Sequence, residues 1–145
     1  MKKNRNIVLI TGGAGFIGAA VSEEMAQLNS DLILVDINKK NLDTLKNKLC
    51  SKYDCKVDVF NCDMSNTNEL SNLVSKISNK YERIDTIINS VGMVGTDKMK
   101  GWNTSFDNQD IEAWQKCLDI NLSSIFFLIQ KLYKKMHKSD NASIV

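Results

Sequence analysis

Eight residues near the N-terminus, TGGAGFIG at positions 11–18, follow an apolar run at 7–10 and precede a helical pattern. Neither a strand nor a helix interior favours so many glycines, so their use must lie in the turn between the two. A residue without Cβ turns sharply and lets main-chain N–H groups approach an anion. The helix that follows offers unpaired amides and the positive end of its dipole. In this arrangement Gly12 makes the turn, Gly15 admits a pyrophosphate and Gly18 allows the helix to press on the strand, while Phe16 and Ile17 contribute amides. Positions 13–18 also satisfy GxGxxG, and the lysine of a nucleoside-triphosphate P-loop is missing. The pattern therefore predicts a dinucleotide cradle.

A carboxylate at the right distance strengthens it. The run LILVD ends in Asp36, 18 residues beyond Gly18. Its oxygens can accept from both hydroxyls of an adenosine ribose and would repel a 2′-phosphate, which favours NAD over NADP. Lys39 and Lys40 argue the other way, since either could neutralise that phosphate, and Asp36 could instead be an ordinary helix N-cap.

The elements that must hold these residues can be read from periodicity. Short β-branched runs at 7–10, 32–35, 57–61, 84–88 and 143–145 alternate with helical stretches. All but the last read as buried parallel strands. Leu42, Leu45 and Leu49, and then Leu70, Leu73, Val74 and Ile77, recur at helical spacing, so each connection lays an apolar stripe on a sheet. Right-handed crossovers make this an α/β, doubly wound parallel sheet with its ligand beyond the C-terminal ends of the strands. The one irregular stretch, 91–110, is a candidate lid or substrate loop, and a long helix is expected from 111 to 136.

Composition excludes several classes. At 145 residues, 43% hydrophobic and 25% charged, the chain holds one domain. A net charge of +2 with scattered lysines argues against nucleic acid. Cys50, Cys55, Cys62 and Cys117 form no CxxC pair and His137 is the single histidine, so no metal site and no disulfide framework is expected. Lys2, Lys3 and Arg5 precede an uncharged stretch at 7–21, yet its glycines break the apolar helix of a signal peptide, and Glu23 and Glu24 follow at once. The apolar segment at 125–129 is far short of the roughly 20 residues that span a membrane. Reduced thiols and the lack of a membrane segment suit the cytoplasm.

With these residues in hand, the chain resembles the short-chain dehydrogenase/reductase family over positions 7–145. TGGAGFIG is similar to its glycine motif. NCDMS places Asp63 and Met64 where family members hold the adenine ring, and NSVG, from Asn89 to Gly92, resembles the NNAG motif that ends the fourth strand and borders the nicotinamide half of the cofactor. LDINLSSIFFLIQ resembles the helix bearing the family's structural and catalytic asparagine, here Asn121. Asp63 and Ser65 could otherwise cap the third helix, Asn89 could satisfy a buried backbone group, and Asn121 could lie on an exposed helix face. The resemblance implies a Rossmann-type fold, here truncated at the start of the fifth strand, with positions 1–145 as the NAD(P)-binding domain of a longer, homo-oligomeric enzyme acting on a small molecule. The glycine spacing is that of the family's extended branch, with Phe16 where the compact branch has glycine, whereas NSVG and Asn121 resemble the compact branch. The segment GWNTSFDNQDIEAWQKCLDINL resembles bacterial members tied to flagellin or surface-polysaccharide modification, which implies a nucleotide-linked or related sugar as substrate.

The family's serine and its YxxxK pair lie beyond a fifth strand. Ser143 falls too early, and Tyr133 is followed by Lys134, Lys135 and, four residues on, His137. The 145 residues are therefore expected to be inert alone, with Leu118, Leu122, Phe126, Ile129 and Tyr133 forming an uncovered apolar stripe. Two other functions stay open: an epimerase or dehydratase that oxidises a sugar transiently, and a module that binds NAD without turnover.

Overall fold

In the computed structural model, which describes residues 5–94 and 99–145, five strands form one parallel sheet. They are β1 (Ile7–Thr11), β2 (Asp31–Asp36), β3 (Val57–Asn61), β4 (Thr86–Asn89) and β5 (Ser143–Ile144), in the spatial order β3-β2-β1-β4-β5. Lys2, Lys3 and positions 95–98 of the irregular stretch lie outside the described residues. Helices α1 (Phe16–Gln27), α2 (Lys39–Lys52), α3 (Thr67–Lys80), α4 (Ile111–Leu118) and α5 (Ser124–Met136) make the crossovers. The order reverses between β1 and β4, where two successive crossovers leave on opposite faces and a crevice must open.

Alternation along β1 and β2 divides the core. Val8, Ile10, Leu32 and Leu34 point to the face packed with Leu42 and Leu49 of α2. Leu9, Ile33 and Val35 point to the other, against Ile77 of α3 and Leu128 and Leu132 of α5. With both faces covered, these strands can be apolar throughout. The edge strand β3 departs from the expected buried strand: its pattern is mostly half-buried, since it has one strand neighbour. The fourth strand starts two residues later than the apolar run suggests, because Asp85 is used differently: its Oδ2 accepts from the Ile7 amide at 2.7 Å.

Two alternatives for helix caps are ruled out, and one expected helix is divided. The third helix is capped by Asn66, whose Oδ1 accepts from the Asn68 and Glu69 amides, and not by Asp63 or Ser65. The second is capped by Asn38, not Asp36. The single helix expected over 111–136 is instead α4 and α5 joined by a wide π-type turn, Asp119–Ser123, with helical dihedrals kept on both sides. Such turns accommodate one extra residue in a helix and recur at functional sites. No described helix is long and apolar enough to cross a membrane, and no described group of three or more His, Cys, Asp or Glu could hold a metal ion.

Candidate functional site

The glycine turn is built by close approach. Gly12 has φ +63°, a left-handed conformation costly for any residue with Cβ, and a Cβ there would lie 2.7 Å from the Ser90 carbonyl oxygen. At Gly18 a Cβ would stand 2.1 Å from the Gly12 oxygen, so α1 touches the turn with its bare backbone. The contact continues along α1 through Ser22 and Ala26, both buried, with the Ser22 hydroxyl donating back to the Gly18 carbonyl at 2.6 Å. Gly15 is the N-cap and carries no capping side chain. The first-turn amides of Phe16, Ile17 and Gly18 thus have no carbonyl one turn earlier to bond. Phe16 is 97% exposed and Ile17 67%, so neither side chain is buried against the fold and the start of α1 stands open at the mouth of the turn.

Beside this turn, over the C-terminal ends of the strands, opens a cleft of about 440 Å³ lined by Gly12, Asp36, Asp63, Met64 and Gly92 among the expected residues. Asp36 accepts from the Ala14 amide at 3.0 Å through Oδ2 and from the Asn38 amide at 2.8 Å through Oδ1. A carboxylate has about four lone-pair sites, so two contacts fix its orientation and leave capacity for a ligand's hydroxyls. Asp63 turns one oxygen to the amide and hydroxyl of Ser65 at 2.9 and 2.7 Å. Lys39 is drawn away to Asp43 at 3.3 Å, and neither it nor Lys40 lines the cleft.

Asn89 and Asn121 stand behind the cleft. Asn89 accepts from the Thr11 hydroxyl at 2.8 Å and ties β4 to β1. The Ser90 hydroxyl, next in the chain, donates to the Thr11 carbonyl at 2.7 Å. Asn121 sits in the wide turn between α4 and α5, where its Oδ1 accepts from the Met93 amide at 2.6 Å and its Nδ2 donates to the Met93 carbonyl at 3.0 Å. Cys117, one turn earlier, donates to the same carbonyl at 3.4 Å. By area Asn121 is exposed, yet both ends of its carboxamide hold the peptide that forms the cleft wall.

Val91 and Met93 line the cleft from the stretch expected to form a loop there, whereas Ile37, Cys62, Lys116 and Ile120 line it without having been singled out by the sequence. Ile37 carried a usable signal, an apolar side chain directly after a strand-ending aspartate; it is 66% exposed beside the cleft. Cys62 forms part of the floor, and burial pushes its thiol up to about 11, so it is unreactive as a nucleophile near neutral pH. Lys116 and Ile120 share one face of the helix, a relation that becomes readable only when the helix register is known.

The family model for short chain dehydrogenases matches residues 6–145. The chain belongs to the short-chain dehydrogenase family. Similar to this chain are a 3-oxoacyl-[acyl-carrier-protein] reductase of Thermotoga maritima, 30% identical over 145 residues, and a sorbose reductase of Candida albicans, 25% identical over 139 residues. These alignments cover 100% and 96% of this chain but 56% and 47% of the relatives, so the chain spans about half their length. Among solved structures, a short chain dehydrogenase from Salmonella enterica serovar Typhi shares the fold with a TM-score of 0.84 at 23% identity, covering 97% of this chain and 56% of that one. One from Shigella flexneri, complexed with NADP, has a TM-score of 0.81 at 23% identity, covering 97% and 57%. Such identities show the fold alone.

Proposed function

We propose that residues 1–145 form the nucleotide-binding domain of an NAD-dependent oxidoreductase that moves a hydride between nicotinamide and an alcohol or carbonyl carbon. The observation that carries this reading is the contact of Gly18 with the Gly12 carbonyl, because a Cβ on Gly18 would collide with that carbonyl and one on Gly12 with the Ser90 carbonyl, so the turn and the start of α1 close up only without side chains. It leaves the start of α1 bare beside a cleft at the topological switch point, the place where open α/β sheets take their ligands. When bound, the dinucleotide supplies the hydride carrier. The chain's residues bind and orient it: amides of Phe16, Ile17 and Gly18 face the pyrophosphate, Gly15 gives it room, Asp36 takes the adenosine ribose, and Asp63 and Met64 border the adenine. Gly92 stands on the opposite wall, where a Cβ would meet nothing within 4 Å. Asn89 and Asn121 are positioning residues that hold β4 and the Met93 peptide.

NAD is favoured over NADP because the carboxylate of Asp36 is fixed in the cleft while Lys39 is engaged elsewhere. Carbonyl reduction is the chemistry common to the two relatives named above, one of which is named for a sugar, and the proposed substrate class is a nucleotide-linked or related sugar. Leu122, Phe126 and Tyr133 are more than half exposed along α5 and its approach, which supports a homo-oligomer in the complete protein. No tyrosine in the 145 residues is followed by lysine at the fourth position, so the chain by itself should bind without turnover. Titration with NADH and NADPH tests the reading: saturable binding with NADH the tighter supports it, and no binding by a folded sample overturns it. The TGxxGxxG spacing, with Phe16 exposed at the cradle mouth, favours as second reading a sugar epimerase or dehydratase that returns its NAD unchanged. Net cofactor conversion by the longer protein separates the two.

A further inference from the structure

Two walls of the cleft carry charge of opposite sign. Asp63 lies at the end of β3, and Lys116 lies on α4; Lys116 is the one cationic side chain lining the cleft among the described residues. Lys48 and Lys52 are committed to Glu23, Lys80 to Asp58 and Lys138 to Glu82, whereas the side chain of Lys116, like those of Lys40 and Lys76 away from the cleft, makes no ion pair or hydrogen bond among the described residues. Its backbone is well anchored. The next residue, Cys117, and then Asn121 grip the Met93 peptide, so Lys116 and Ile120, four residues apart on the adjacent face, are held toward the cleft. Its aliphatic stem can lie along apolar Ile120 and leave the ammonium free at the opening.

Adenine presents on one edge a donor, the N6 amino group, beside an acceptor, N7, whereas guanine presents two acceptors there. A carboxylate on one wall and an ammonium on the other complement the first pattern and clash with the second. We propose that Lys116 is a specificity-determining residue that donates to the N7 acceptor of a bound adenine, an inference that rests on the nucleotide-binding reading above.

The experiment is a binding titration of the full chain with adenosine 5′-monophosphate, its 7-deaza analogue and guanosine 5′-monophosphate. It compares wild type, Lys116→Met, which keeps the stem without the charge, and Lys116→Arg, which keeps a donor. Wild type should bind the adenine nucleotide about fivefold tighter than the 7-deaza analogue, the scale of one exposed charge-assisted hydrogen bond. Lys116→Met should lose that discrimination by weakening on adenosine monophosphate alone, and Lys116→Arg should retain it. Equal weakening of both adenine ligands in Lys116→Met would mark a general charge effect and overturn the proposal, as would no weakening. Wild type that binds none of the three while folded overturns the nucleotide-binding reading itself, an outcome distinct from the other two.

Discussion

Asp36 and Asp85 stand at opposite ends of the same sheet, and main-chain amides grip both. Asp85, before β4, is 7% exposed and closed off: the Ile7 amide at 2.7 Å, the Arg83 guanidinium at 2.9 Å and the Ser139 hydroxyl at 2.7 Å take its oxygens. Burial opposes its charge, but these three partners prevail and hold the carboxyl below the ordinary aspartate value. Asp36, after β2, has two amides, no cationic partner among the described residues and an open cleft in front of it. A buried carboxylate whose cation is supplied by the chain serves as a staple, and one supplied only with amides keeps capacity for a ligand. In this sheet the two ends thus divide an aspartate closed off by the chain from one left open to the cleft.

The comparison can be broken most forcefully at the cleft end. Gly18→Val should reduce dinucleotide affinity by about a hundredfold and destabilise the fold by about 3 kcal/mol, because its Cβ would lie 2.1 Å from the Gly12 oxygen. Isothermal calorimetry and urea unfolding read the two effects. At the other end, Asp85→Ala should cost about 3 kcal/mol by stranding the Arg83 charge and the Ile7 amide, and leave affinity per folded molecule unchanged. A loss of affinity in that variant would erase the distinction between the two ends.

Smaller effects sharpen it. Asp36→Asn should weaken NADH binding about tenfold and narrow the gap to NADPH, with a stability loss of about 1 kcal/mol, since the amide oxygen can still accept from Ala14 while the new NH2 faces the Asn38 amide. Acid should act through the staples. The carboxyls of Asp85 and Asp58 are both lowered in the folded state, Asp58 by Lys80 and Tyr81 against its burial. Their contribution is whole above the unfolded carboxyl value of about pH 4 and is lost as pH falls through the folded values. Unfolding free energy should therefore decline below about pH 4, less steeply in Asp85→Asn. The smallest effect is expected for Lys39→Ala: unchanged affinity for either dinucleotide, because its ammonium is turned to Asp43.

Local chemistry was readable from the order of residues. The glycines at 12 and 18, the aspartate ending β2 and the alternation of apolar runs with leucine stripes act over a few neighbours, where backbone freedom, spacing and burial period leave few alternatives. From them came the parallel α/β sheet, the cradle and Asp36. What spacing could not supply were contacts between distant segments. The Ile7 amide meets Asp85 across 78 residues, and Asn121 meets Met93 across 28, and neither partner is marked in its own neighbourhood. Asp36, Asn38, Asp63 and Asn66 are all competent cap residues, and only the path of the chain selects Asn38 and Asn66 among them. Likewise Lys39 and Lys40 follow Asp36 in sequence, yet among the described residues it is Lys116 that reaches the cleft. Sequence by itself determined the architecture and the bare glycine turn proposed to receive an anion; tertiary structure decided which charges face that turn, because side-chain direction depends on helix register and on partners far along the chain.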